Sequence, residues 1–288
     1  MKKFLLFIMG ILCAIICEGQ VLENDQYAFE VEKLGNGPDI IFIPGATCSG
    51  EVWEETVQAL SGQFTCHVVT LAGYAGVEPL STHPILPQYK EGLMRYIKSL
   101  PTKPILVGHS IGGFIGLQLA AEHSQLLEKL VIVDALPFLV AANNPAMTEE
   151  MARSYPMEPM VHQYVSMSDS TFKSMQAQVI KSMLSNKEKY ETVLGWSMQS
   201  DRATMAYTMN ELMTNDLRDD IASIEVPVLV LGAWDPGFPF SQEQQKETYA
   251  EQYKDIKTLD LVMADNARHF IMYDDPSWFM SQLRRFIL

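Results

Sequence analysis

Ten residues constrain this chain more than any others: Pro104-Ile105-Leu106-Val107-Gly108-His109-Ser110-Ile111-Gly112-Gly113. An apolar run suited to a buried strand meets a sharp turn and continues into a helix-like stretch from Ile111 through Leu117. Gly108, Ser110 and Gly112 are spaced as G-x-S-x-G, the pattern that sets a serine on a strained strand-to-helix turn with its Oγ exposed. In so tight a turn, side chains at positions 108, 112 and 113 would collide with the neighbouring strand and helix, which favours hydrogen there. Taken alone, the pattern also fits a Gly-rich turn with an inert serine. What separates the two readings is whether the rest of the chain supplies a sheet for the strand and a base for the hydroxyl.

The sheet is legible. Strand-like and helix-like patterns alternate, which predicts an α/β fold with a mostly parallel central sheet flanked by helices. Tyr27 to Lys33 alternates as an edge strand would, and Asp39 to Ile43 is an apolar run suited to a central strand. A loop, Pro44 to Gly50, leads to helix-like Val52 to Leu60. Cys66 to Leu71 is the next strand, and Pro87 to Leu100 the next helix. The helix after the elbow should end near His123, followed by a strand over Leu130 to Val133. Val226 to Leu231 and Ile256 to Met263 supply two further strands, and Trp278 to Leu288 a closing amphipathic helix.

Between those halves, residues 137–220 carry helical patterns and no convincing strand. Eleven of the 17 methionines fall near this interval. It reads as a helical cap inserted over the C-terminal edge of the sheet, dividing the core into 20–136 and 221–288. Methionine is flexible and polarizable, so such a surface accommodates varied apolar groups; the same residues would equally fill a loosely specified helical core.

The 288 residues are enough for one large domain with an insertion, and 48% hydrophobic with 19% charged residues is a globular composition. A net charge of −14 argues against a nucleic-acid partner, because phosphates would be repelled. Residues 1–19 read as a signal peptide. Lys2 and Lys3 precede an uncharged, mostly apolar run from Phe4 to Cys17, too short to span a bilayer, and small residues permit cleavage between Gly19 and Gln20. Export to the periplasm or medium is the expectation, with no stable membrane association afterwards; lipid attachment at Cys17 fits less well, since Ile16 stands where a small residue is expected. Cys48 and Cys66 should lie near opposite ends of the strands, beyond disulfide reach, and so remain as buried thiols.

A serine hydroxyl needs a base, and the base needs an orienting group. Of the six histidines, His269 alone follows the last strand in a loop that would carry it over the sheet's C-terminal edge. Two carboxylates compete behind it. Asp235 follows the strand Val228 to Leu231, where ligand clefts of such sheets open. Asp134 follows the strand Leu130 to Val133. Asp235 is preferred, on the expected order Ser…Asp…His, although Asp235-Pro236-Gly237 is also good turn chemistry.

With these residues in view the chain resembles the α/β-hydrolase fold superfamily, in particular its small, helically capped esterase and haloperoxidase-like branch. The resemblance rests on Gly108-His109-Ser110-Ile111-Gly112-Gly113, on Gly232-x-x-Asp235-x-x-x-Pro239, and on His269-Phe270 with Pro276 and the closing helix. It implies a Ser110–His269–Asp235 triad, an oxyanion hole from the backbone N–H groups of Ala46 and Ile111, and no metal or organic cofactor. The apolar, Met-rich cap and the acidic balance favour an uncharged or cationic substrate of modest size, a small, largely apolar carboxylic ester. An aminopeptidase, with Glu149, Glu150 or Glu158 receiving the substrate amine, a C–C-bond hydrolase, and a non-enzymatic binding protein stay open. Two positions depart from the family pattern: Pro44 precedes Gly45 where histidine is usual, and Arg268 precedes His269 where glycine is usual.

Overall fold

Why the strands lie where they do follows from their composition. In the computed structural model, which describes residues 27–154 and 156–288, strand β4 (Ile105–His109) is buried along its whole length. Its flanking strands β2 (Asp39–Ile43) and β5 (Lys129–Val133) are almost as fully enclosed. Successive strand residues point to opposite faces, so a strand apolar at every position must be covered on both sides. Leu106, Leu130, Ile132, Val228 and Val230 pack into one core, while Ile105, Val107, Val131, Val133 and Leu229 pack into the other.

Among the described residues seven strands make one sheet in the order β1-β3-β2-β4-β5-β6-β7. β1 (Phe29–Gly35) runs antiparallel to β3 (Thr65–Leu71) at the edge; every other pairing, through β6 (Val228–Gly232) and β7 (Leu259–Met263), is parallel. The mostly parallel α/β sheet is therefore as expected. α1 (Glu54–Leu60) and α10 (Pro276–Ile287) cover one face through Val57, Leu60, Phe279 and Leu283. α2 (Leu86–Ser99), α3 (Ile111–His123) and α9 (Gln242–Tyr253) cover the other. α9 has no counterpart in the sequence reading. Ten of its twelve residues are polar or small, and it is held by a Ser241 capping box and two buried tyrosines, Tyr249 and Tyr253.

Between β5 and β6 the described residues form five α-helices: α4 (Glu149–Arg153), α5 (Met157–Ser166), α6 (Asp169–Met183), α7 (Tyr190–Gln199) and α8 (Arg202–Thr214). Side-chain oxygens of Thr148, Ser168 and Asp201 cap α4, α6 and α8. α8 is fastened to the core by polar contacts. The buried Glu211 carboxylate accepts from the N–H groups of Ile85 (2.8 Å) and Leu86 (2.7 Å), where α2 begins, and Asp201 N–H donates to Gly73 C=O at 2.8 Å. Burial nonetheless pushes the Glu211 carboxyl above its ordinary range, the two N–H bonds opposing that rise. α5, by contrast, buries none of its residues. Of the methionines in this interval only Met183 and Met209 line the cavity described below; Met205 is core, and Met151 and Met213 face solvent.

The expected signal peptide lies outside the described residues. Among the described residues no helix is long and apolar enough to cross a membrane. Cys48 and Cys66 are both free and buried, and burial pushes their thiols up to about 12 and about 11.

Candidate active site

The turn between β4 and α3 has the strain the motif implies. Ser110 adopts φ 54°, ψ −122°, in the left-handed half of the map, and its N–H donates to Val133 C=O at 3.0 Å across the sheet. Its neighbours leave no room for side chains. A Cβ at Gly108 would stand 2.4 Å from Gly112 O, and one at Gly112 would stand 2.5 Å from Ile43 O. The second approach brings α3 against the end of β2, so the loop carrying Ala46 runs beside Ser110. Ile111 opens α3, and its N–H is among those of the first turn that have no acceptor within the helix.

His269 follows β7, as expected, and lines the same cavity as Ser110. Its Nδ1 lies 2.6 Å from Asp134 Oδ2. A carboxylate oxygen accepts, so His269 Nδ1–H is the donor of this contact and Nε2 is the ring's other nitrogen. Asp134 itself sits just past β5 at φ 49°, a conformation aspartate tolerates better than most residues. Its other oxygen accepts from Ala233 N–H at 2.7 Å and from the Tyr249 hydroxyl at 2.6 Å. Burial, then the neighbouring Asp134 carboxylate, raise Tyr249 well above the usual phenol range, which keeps it a donor.

Asp235, the preferred acid of the sequence reading, is not the carboxylate that meets His269. Its Oδ1 accepts from Gly237 N–H at 2.9 Å, closing the Asp-Pro-Gly turn, and stands 3.6 Å from Arg268 Nη2. The turn chemistry of that segment prevails. Chain order does not separate the two candidates, because both fall between Ser110 and His269 in sequence. What separates them is the supply of donors: Asp134 has a buried tyrosine and a backbone N–H aimed at it, contributed by α9 and the end of β6.

His109, one residue before the serine, points away from the cavity. It is fully buried, its Nε2–H donates to the His269 carbonyl at 2.9 Å, and the two rings lie 4.5 Å apart. Burial, then repulsion from His269, hold its imidazole well below the ordinary range and hence neutral. It steadies the His269 backbone, a role invisible in the sequence.

The cavity holds about 380 Å³ and is mainly apolar, walled by Phe114, Leu136, Leu139, Met209, Leu212 and Phe238. Among the described residues no lysine or arginine lines it, and neither do Glu149, Glu150 or Glu158. Glu149 instead pairs with Arg153 on the surface. Among the described residues no group of three or more His, Cys, Asp or Glu side chains could hold a metal ion.

An α/β protein that strains a serine in this way, with a carboxylate-backed imidazole in the same cavity, has the parts of a hydrolytic enzyme. A model of the alpha/beta hydrolase family matches residues 40–282; the chain belongs to that family and is a hydrolase. A pimeloyl-(acyl-carrier protein) methyl ester esterase of Vibrio atlanticus (strain LGP32) is 30% identical over 201 residues, covering 68% of this chain and 76% of the relative. Among solved structures, a hydrolase from Pseudomonas aeruginosa PA01 has a TM-score of 0.76 at 17% identity, over 94% of this chain and 99% of the other. An esterase from Exiguobacterium antarcticum has a TM-score of 0.74 at 18% identity, over 90% and 94%. At such identities the structural likeness speaks for the fold alone.

Proposed function

We propose that the protein hydrolyses a small, uncharged, largely apolar carboxylic ester through an acyl-enzyme on Ser110, with His269 as base and Asp134 as the orienting acid. The observation that carries this reading is the 2.6 Å contact between His269 Nδ1 and Asp134 in the cavity that Ser110 also lines. Ser110 Oγ attacks the acyl carbon while its proton passes to His269 Nε2. The C–O bond to the alcohol then breaks, and the alcohol leaves with that proton. Water gives a proton to His269 and attacks the acyl-enzyme, releasing the carboxylic acid and restoring the serine hydroxyl. The Ala46 and Ile111 N–H groups receive the oxyanion in both steps; each such donor is worth about 3–4 kcal/mol of barrier.

The substrate class follows from the walls. A cavity without a cationic side chain gives a free carboxylate on the acyl chain no counter-charge, so the acyl group is neutral and apolar. The relative's name, a methyl ester esterase, supports a small alcohol portion. The helices between β5 and β6 serve as the cap of this site. Export with cleavage before Gln20 remains part of the proposal, and N-terminal sequencing of secreted protein checks it.

The test is intact-mass detection of a fluorophosphonate adduct on wild type and on Ser110→Ala, beside a p-nitrophenyl ester chain-length series and an aminoacyl-arylamide control. One adduct, absent in Ser110→Ala, with ester turnover peaking at a short or medium chain, is expected. Folded protein that takes no adduct and turns over no ester overturns the proposal.

A further inference from the structure

The polar side chains on the wall of the Ser110 cavity are few, and all but one have an evident use. Ser110, Asp134, Tyr249 and His269 form the proposed machinery. Ser182 donates its hydroxyl hydrogen to Val179 C=O at 2.7 Å, within its own helix α6. Among the described residues Gln245 is the remaining polar residue of that wall.

α9 carries four glutamines, and the other three hold the fold together. Gln242 Nε2 donates to Ala264 C=O at 2.9 Å and to Asp265 Oδ1 at 2.6 Å. Gln244 Oε1 accepts from Ser241 N–H at 2.8 Å in the capping box. Gln252 Oε1 accepts from Phe138 N–H at 3.0 Å. The half-buried Gln245 amide has no hydrogen bond to any described residue, and it faces the cavity.

Its position on the helix sets where it stands. Gln245 and Tyr249 are four residues apart and share one face, with Gln245 about 6 Å nearer the start of α9. The Tyr249 hydroxyl reaches Asp134 Oδ1 at 2.6 Å, and the other oxygen of that carboxylate meets His269. The Gln245 amide therefore lies about one helical turn along the wall from the carboxylate that holds the imidazole. A primary amide offers two N–H donors and carries no charge. With no lysine or arginine on the wall among the described residues, its natural partner is a neutral oxygen rather than a carboxylate.

Resting on the Ser110–His269–Asp134 ester-hydrolase reading, we propose that Gln245 is a specificity-determining residue whose Nε2–H donates to a keto or amide oxygen partway along the acyl chain. The substrate class narrows from plain alkyl esters to oxo-acyl or acylamino-acyl esters. In a mainly apolar cavity a few placed polar groups fix a ligand's orientation. Here the second carbonyl would set the direction and depth of a chain that apolar contacts alone leave free to slide.

The experiment measures kcat/KM at pH 8 for p-nitrophenyl heptanoate and its 4-oxo, 5-oxo and 6-oxo analogues. Wild type, Gln245→Leu and Gln245→Glu are compared, with circular dichroism and thermal melting confirming each fold. The readout is the ratio of kcat/KM on each keto ester to that on heptanoate. Comparing this ratio between variants cancels the intrinsic reactivity of the esters. For at least one keto position the ratio should be about three- to tenfold higher in wild type than in Gln245→Leu, the worth of one neutral hydrogen bond. Gln245→Glu keeps the shape but has no donor when ionised, so it should lose the preference too. Ester turnover with the same ratios in wild type and Gln245→Leu overturns the proposal, as does a preference that Gln245→Glu retains. Wild type that turns over none of these esters and takes no fluorophosphonate adduct would instead refute the hydrolase reading, and this inference with it.

Discussion

Tyr249→Phe removes one buried oxygen and leaves the shape of the site unchanged. The lost bond is the 2.6 Å donation to Asp134 Oδ1, an oxygen that still accepts from Ala233 N–H at 2.7 Å, while Oδ2 keeps His269 at 2.6 Å. The carboxylate is therefore not stranded, and the cost is one hydrogen bond to a charged group, about 1.5–3 kcal/mol. For a chain of this size that is a fall in Tm of roughly 3–6 °C. In the proposed mechanism Tyr249 acts only by steadying Asp134, so kcat should drop far less than the ~10⁴-fold associated with losing a triad acid. About tenfold is expected, with KM for a p-nitrophenyl ester nearly unchanged. Thermal melting and steady-state kinetics on the same preparation read both numbers. A loss of kcat approaching that of Asp134→Asn would give the phenol a direct part in the chemistry and refute the reasoning. Unchanged Tm and kcat together would mean that the hydroxyl does not hold the carboxylate in solution.

Two further outcomes follow from the same geometry. His109 and His67 are buried and their pKa values are lowered from 6.5, chiefly by burial. A group whose folded pKa lies below its unfolded one contributes stability above the unfolded value and loses it as pH falls. The unfolding free energy in urea should thus decline below about pH 6.5, by at most about 1.4 kcal/mol per pH unit for each histidine. His109→Gln should flatten that decline, and an unaltered slope would show that His109 titrates normally in the fold. Gly112→Ala places a Cβ 2.5 Å from Ile43 O and 2.7 Å from Pro44 O, so the β2 end must move. It should cost about 1–3 kcal/mol in urea unfolding and lower kcat as well, because the displaced segment leads to Ala46. Lost stability with intact kcat would separate the oxyanion loop from that contact.

Much of this molecule is legible in the chain itself because the signals are local. A strand apolar at nearly every position has to be covered on both faces, and β2, β4, β5 and β6 are, with polar or charged side chains only at their ends. The spacing of Gly108, Ser110 and Gly112 describes a turn whose sterics involve only the strand, the helix and the next strand's end. The loop bearing His269 is found because it follows the last strand. α9 escaped because its sequence, Gln242-Glu243-Gln244-Gln245-Lys246-Glu247, carries almost no apolar period; Tyr249 and Tyr253 dock it only once β6 and β7 are beside each other.

Which aspartate meets the imidazole was decided by tertiary structure. Asp134 and Asp235 look alike in sequence: each follows a parallel strand, and each lies between Ser110 and His269. Tyr249, 115 residues from Asp134 in the chain, donates to the first, while Arg268 stands against the second. The sequence by itself determined that a serine would be strained at the end of β4 and that a histidine would arrive over the same edge. Only the folded chain decided which carboxylate meets His269 and how the cavity is walled. Periodicity and turn sterics act over a few residues, whereas the solvation of a buried charge depends on every donor that the fold brings to it.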